Sequence, residues 1–270
     1  MYNRDEKLIE RYVNSLEVLH KLFLPMDSLI SPPPIIGIKA WDDAVVLNLT
    51  KEKLVVSVDG PYTKRLVMKS ALLHASTDVW VKGGMPVFAL DTLIGPRKDV
   101  LEMARSLKQQ AMDLKLPILG GNTLFEENTE PRASITVIGK LVIEKPIPDS
   151  GAKVGDVIAV IGEPIWGEWN DRKKKAEKML KTWVEVIKTI KINAAKDVTK
   201  GGLISVVYEM EKKSRTSFSL LPSVPFPLSR NMDNFILTLR EEEYIKLEEL
   251  CKHNSCPVWR IGEVKQRKGE

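Results

Sequence analysis

Short β-branched runs alternate with helix-period segments along most of the chain, and glycines and prolines punctuate the changes. A chain that switches hydrophobic period this often, with no repeat of 20 to 50 residues, has to fold as a mixed sheet-and-helix protein. Strand-like runs are Ala44 to Leu49, Leu54 to Asp59, "VFALDTLI" from Val87, "LPILGGNT" from Leu116, and "ASITVIGKLVI" from Ala133. Four more follow: the apolar end of 147 to 162, "TSFSLL", "NFILTL" and "CPVWRIGEV". Helical spacing marks Asp5 to Leu24, Leu66 to Val79, Val100 to Leu114, Arg172 to Ile190, "GGL" to about Lys213, and "EEEYIKLEELCKH". "SPPPIIG" is an extended linker, Gly60 and Pro61 end the second strand, and "AAKDVTKGGL" reads as a loop that opens a helix. Glycines and prolines cluster near Lys145, which divides the chain into units of 1–145 and 146–270.

The 270 residues, 43% of them hydrophobic, suffice for a substantial core. A net charge of +5 suits an acidic partner such as a nucleotide. Nucleic acid ranks last, because basic residues concentrate in "DRKKKAEK" and the tail without interleaved aromatics. Cys251 and Cys256, with His20, His74 and His253 scattered, give no zinc or iron–sulfur spacing and read as structural thiols. No apolar run approaches a membrane span and the N-terminus is amphipathic, so the expectation is a soluble cytoplasmic protein.

Five aspartates stand out: Asp42 and Asp43 before a strand, Asp59 closing one, Asp78 in an apolar helix, and Asp197 ahead of "TKGGL". Singly each has a local explanation, as a turn residue, a helix cap, or, for Asp78, half of an exposed pair with Lys82 four residues on. Together, hard oxygen ligands from several elements are what magnesium and a polyphosphate need, and Gly120, Gly121, Gly201 and Gly202 let backbone approach phosphate. No Walker-type loop and no GxGxxG after a strand is present, so ATP, if bound, is held another way.

In order, "WDDAVV", "SVDGPY", "STDVWVKGGMP", "VFALDTL", "LGGNT" and "DVTKGGL" resemble the motifs of the AIR synthase-like (PurM-like) superfamily over about residues 35 to 265. The resemblance implies a two-domain α+β fold: an N-terminal mixed sheet pairing into a dimeric barrel, and a smaller C-terminal α/β domain. It also implies a homodimer that binds ATP and Mg2+ and phosphorylates or activates a small-molecule substrate. Asp43, Asp59 and Asp78 would then be metal ligands, with Asp42 as an added or supporting acid. Asp91, Gly120, Gly121, Asn122 and Thr123 would line the nucleotide site, Asp43 and Asp197 would serve catalysis, and Lys200 would meet phosphate. Asn122 stands where the family carries an acid, and only "PSVPFPLSRNMD" separates "TSFSLL" from "NFILTL", where larger members insert a helical segment. Both departures favour the alternative, a non-catalytic nucleotide-binding dimer with a regulatory or assembly role. "PIWGEWNDR" has no family counterpart and reads either as packing or as an aromatic binding surface.

Overall fold

A computed structural model describes residues 32–42, 44–47 and 52–267, with isolated positions before them. The predicted N-terminal helix lies largely outside the described residues, and so does Asp43. Two five-stranded sheets succeed each other along the chain, each with its own helices.

The first sheet contains β1 (Val45–Leu47), β2 (Leu54–Thr63), β3 (Gly84–Gly95), β4 (Ile118–Phe125) and β5 (Arg132–Leu141) in the order β1-β2-β5-β3-β4. The predicted hairpin is there, with Val46 opposite Val55. Among the described strands of this sheet only β3 and β4 run parallel, joined by a helical crossover. Ala133, Ile135 and Val137 of β5 alternate with half-exposed neighbours and point into a core closed by α1 (Lys64–Val81) and α2 (Arg97–Leu114). β4 is an edge strand, exposed from Leu119 to Phe125.

Two boundaries differ from the sequence reading. Gly60 and Pro61 do not end β2: the ladder breaks register between Asp59 and Tyr62 and resumes to Thr63. This is what a bulge does, re-aiming a side chain without terminating the strand. Likewise β4 runs through Gly120 and Gly121 as far as Phe125.

The second sheet contains β6 (Val157–Ile161), β7 (Ala194–Asp197), β8 (Ser217–Leu220), β9 (Phe235–Leu239) and β10 (Val258–Lys265) in the order β7-β9-β6-β10-β8, all antiparallel. β6, β7 and β9 are buried at every residue, because helices cover both faces. Val157, Ala159, Phe235 and Leu237 pack with α3 (Trp169–Thr189) and α5 (Glu241–His253). Ile158, Val160 and Ile236 pack with α4 (Gly202–Ser214). β7 occupies the start of "AAKDVTKGGL", where the sequence pattern predicts a loop. Between β8 and β9 the chain has no helix. Cys251 and Cys256 are both buried free thiols.

The two units are fused through a shared core. Leu73 and Val81 of α1 join the cluster around Trp183, and the Trp183 indole donates to the Trp80 carbonyl at 2.6 Å. "PIWGEWNDR" belongs to this seam. Trp169 Nε1 donates to Asp113 of α2 at 2.7 Å, and Trp166 Nε1 donates to the Asn231 carbonyl at 2.6 Å with Arg230 stacked 3.9 Å from its ring. The tryptophans therefore pack; neither is offered to solvent as a bare aromatic face.

Candidate active site

The seam opens into a polar cleft of about 280 Å3, lined by Asp59 and Gly60 of β2, His74 and Asp78 of α1, Lys196 and Asp197 of β7, and Lys200 just beyond it. The β2 bulge turns Asp59 toward it, and the Asp59 Oδ1 accepts from the Gly60 N–H at 2.7 Å. α1 folds back over β2, so Ser57 Oγ donates to Asp78 Oδ2 at 2.6 Å. The next residue back, Thr77, donates to Asp197 Oδ2 at 2.5 Å and so joins α1 to the second sheet. Asp197 does not cap α4, as its spacing alone allowed; it ends β7, where it is buried. Four predicted residues, Asp59, Asp78, Asp197 and Lys200, thus share one cleft.

His74 was not singled out in the sequence, although it lies one turn before Asp78 on the same helix face. Its Nδ1 is 2.5 Å from Asp233 Oδ1 and its Nε2 3.4 Å from Asp59 Oδ2. Burial opposes the charged ring, but Asp233, then Asp59 and Asp197, push its pKa up to about 10. The cleft therefore carries an imidazolium at neutral pH. Asp233 is buried in the left-handed region (φ 55°), and Arg172 approaches it to 3.7 Å while donating to Ser70 Oγ.

Asp42 faces elsewhere. Its carboxylate pairs with Lys82 Nζ at 2.8 Å and accepts from the Asp149 N–H at 2.9 Å. Lys82, fully buried, also pairs with Asp149 and donates to the Ala195 carbonyl at 3.0 Å, so it is not the exposed partner of Asp78. Asp149 in turn meets Lys213 at 2.7 Å and Lys196 at 3.4 Å, and both lysines reach toward Glu209. Burial works against the Asp149 charge, but Lys196, Lys213 and Lys82 hold its carboxyl well below the usual range.

Asp91 and Gly120–Thr123 form a second group. Asp91 is opposite Gly121 and Thr92 opposite Asn122 in the β3–β4 ladder. β5 and β3 stand between β2 and β4, which separates Gly120–Thr123 from Asp59 by roughly 14 Å at ordinary strand spacing, whereas Asp91, opposite the same Ile135 of β5 as Asp59, lies two strands away at roughly 10 Å. Asn122 is exposed on the edge.

The anionic groups of the cleft are all carboxylates, Asp59, Asp78, Asp197 and Glu209, and hard oxygen donors of this kind fit a hard cation such as Mg2+. Among the described residues, no three acidic, histidine or cysteine side chains are already gathered as a metal cluster. Among those residues, too, no helix is long and apolar enough to cross a membrane.

With this geometry in hand, the chain's affinities are clear. Residues 41–141 match the AIR synthase related protein N-terminal domain, and residues 167–270 match the C-terminal domain of the same family. The chain belongs to the AIR synthase related family, and its fold is the two-domain PurM-like fold. An uncharacterised protein of Methanocaldococcus jannaschii is 36% identical over 235 residues, which is 86% of this chain and 78% of that one. A selenide, water dikinase of Caldanaerobacter subterraneus is 31% identical over 201 residues, 65% of this chain and 57% of the dikinase. In structure, Thermotoga maritima PurL complexed with ADP superposes with a TM-score of 0.70 at 14% identity, over 84% of this chain and 42% of PurL. The chain thus spans little more than half of the dikinase and less than half of PurL.

Proposed function

We propose that the protein is a Mg-ATP-dependent enzyme that phosphorylates or activates a small metabolite, acting as a cytoplasmic homodimer. The observation that supports this best is the cleft itself: Asp59, Asp78 and Asp197, from three elements and both sheets, line it together with Lys200. That a relative is a dikinase and that a structural neighbour binds ADP agrees with a polyphosphate ligand. In this reading the domain boundary follows Lys145.

Asp59, Asp78 and Asp197, with Asp43, would hold Mg2+, which when bound neutralises phosphate oxygens and the charge that moves to the leaving group. Lys200, which lines the cleft, and the backbone N–H groups at the start of α4 would meet the same phosphates. The His74 imidazolium offsets part of the carboxylate charge, held in place by Asp233. In one chain the Gly120–Thr123 strand is too far away to join the cleft. A second copy that carried its β4 to the cleft would bring Gly120–Thr123 there and join them to the acids in one site.

Calorimetric titration with ATP, with and without Mg2+, tests the reading. Asp78→Asn is expected to weaken ATP binding roughly tenfold in Mg2+ and to change it little in chelator; equal affinity of the two proteins in Mg2+ would sink the assignment. ADP release over a panel of acceptors then tests turnover. Asn122, an amide where an acid is expected, favours a second reading, a nucleotide-binding dimer without turnover. ATP binding with no ADP release from any acceptor, and release gained on Asn122→Asp, is the outcome expected from that second reading.

A further inference from the structure

The sheet carries a second concavity that the cleft does not use. α1 lies over β2 and β5, and α2 lies over β3 and β4, so α1 stands as a wall between the cleft and a cavity of about 500 Å3 beneath α2. This volume falls within the range of small-ligand sites, roughly 300 to 1,000 Å3. Ala104, Lys108, Ala111 and Lys115 follow one stripe of α2 and its cap; the two alanines leave the space and the two lysines, both exposed, frame its mouth. The walls are mostly apolar, with the flexible thioether side chain of Met112 among them.

One carboxyl lines the interior. Asp91 is half-buried there, and desolvation raises its pKa, so it gains from any hydrogen-bond donor placed against it. The neighbouring strand is adapted to it: a Cβ on Gly121 would lie 2.0 Å from Asp91 Oδ1, so only glycine leaves the carboxyl its place. Lys115 is held in the left-handed region (φ 53°) at the end of α2, a conformation disfavoured for a side-chain-bearing residue and one that sets it at the rim.

An acid inside an apolar cavity and two ammonium groups outside call for a ligand with a donor at one end, a flat apolar body, and an anion at the other. We propose that this cavity is a second ligand site, independent of the Mg-ATP cleft, for a nucleoside monophosphate: an amino-bearing base rests against Asp91 and the phosphate lies between Lys108 and Lys115. Lysine suits phosphate as a compact charge, and about 10 Å of helix between the two stems lets both side chains converge on one group.

The probe is AMP, titrated calorimetrically in chelator so that a metal-dependent cleft is silent. The wild-type protein is expected to bind AMP at least tenfold more tightly than adenosine. Asp91→Asn is expected to weaken AMP roughly tenfold, as loss of a charge-assisted hydrogen bond does. Lys108→Gln, on an exposed position that tolerates change, is expected to bring AMP down toward adenosine, and Ala111→Trp to fill the cavity and abolish binding. Asp78→Asn is expected to leave AMP affinity unchanged. No AMP binding at millimolar concentration overturns the proposal, as does binding that survives Asp91→Asn and Lys108→Gln. AMP binding lost in Asp78→Asn also overturns it, by placing AMP in the cleft. Mg-ATP titration of the Lys108→Gln protein is read separately, so loss of the cleft assignment is not mistaken for loss of this one.

Discussion

Two clusters gather one helical turn apart, at Asp78 on α1 and at Lys82 just past its end, and have opposite surroundings. At Lys82, three acids (Asp42, Asp149, Glu209) meet three lysines (Lys82, Lys196, Lys213), and Lys82 and Asp149 are wholly buried. At Asp78, four residues earlier, Asp59, Asp78 and Asp197 line an open cleft. The first group is neutralised from within and sealed at Lys82 and Asp149, while Lys196 and Glu209 reach the wall of the cleft. It ties the segment before β1, the end of α1, the crossing at Asp149 and β7 to one another, and so fixes how far Asp78 stands from Asp197. The second keeps its carboxylates where a ligand can reach them. Neighbouring acids thus divide the work: one set holds the two sheets in register, and the other faces what the protein binds.

The largest expected effect follows from breaking the sealed group. Lys82→Met removes the cation that Asp42 and Asp149 share and takes from Asp42 its 2.8 Å ion pair in a buried seam, while Asp149 keeps Lys213 and Lys196; losing one partner of a buried pair costs about 3–5 kcal/mol. Urea unfolding should show it, and adding Asp149→Asn should recover part of the loss. A single variant as stable as the parent would mean that the cluster does not join the sheets.

How much of this division could be read in the sequence depends on the element. The long periodic segments, such as α2 and β5, and the hairpin of β1 and β2 were legible because their apolar period is imposed by one covered face. β7 was not: "AAKD" is four residues long, and a strand buried on both faces shows no alternation. The β2 bulge hid behind Gly60 and Pro61, which usually end a strand. The acids of "DVTKGGL", "SVDGPY" and "STDV" could be found by motif, and all three reach one cleft. Which way the Asp42 side chain points could not, because that is decided by Lys82, whose own burial depends on the second sheet closing over the end of α1. The His74–Asp233 pair joins residues 159 apart in the chain, a distance at which no local pattern operates.

The acid limb of stability sharpens the comparison. The Asp149 carboxyl is held below its usual range in the folded chain, so the unfolded chain, with a carboxyl near 3.9, takes up a proton first as pH falls. Its contribution is therefore complete above the unfolded value and is lost as pH drops through the folded one. Asp149→Asn should flatten the fall of unfolding free energy below about pH 4, by up to ~1.4 kcal/mol per pH unit. An unchanged acid limb would show that Asp149 is not linked to folding in this way.

Acids of the cleft should behave differently. Asp78→Asn keeps the size of the side chain and an acceptor for Ser57 Oγ while removing one of several like charges. Its stability cost should stay under ~1.5 kcal/mol, the scale of one ordinary hydrogen bond, even as Mg-dependent ATP affinity falls. A loss as large as that of Lys82→Met would erase the distinction between the two groups.

The smallest structural effect belongs to Asn122→Asp. Asn122 is exposed on an edge strand, and a surface substitution of this kind moves stability by about 0.5 kcal/mol or less. Its functional reach depends on assembly. Two strands separate β4 from β2 within one chain, so a new carboxylate there can act on the cleft only if a second copy delivers it. ATP affinity in Mg2+ should accordingly rise in Asn122→Asp at protein concentrations where sedimentation shows a dimer, and match the parent under dilution to monomer. A gain that persists in the monomer would mean that β4 serves its own chain's cleft, and the separation of the two groups would then be closed by movement within the chain.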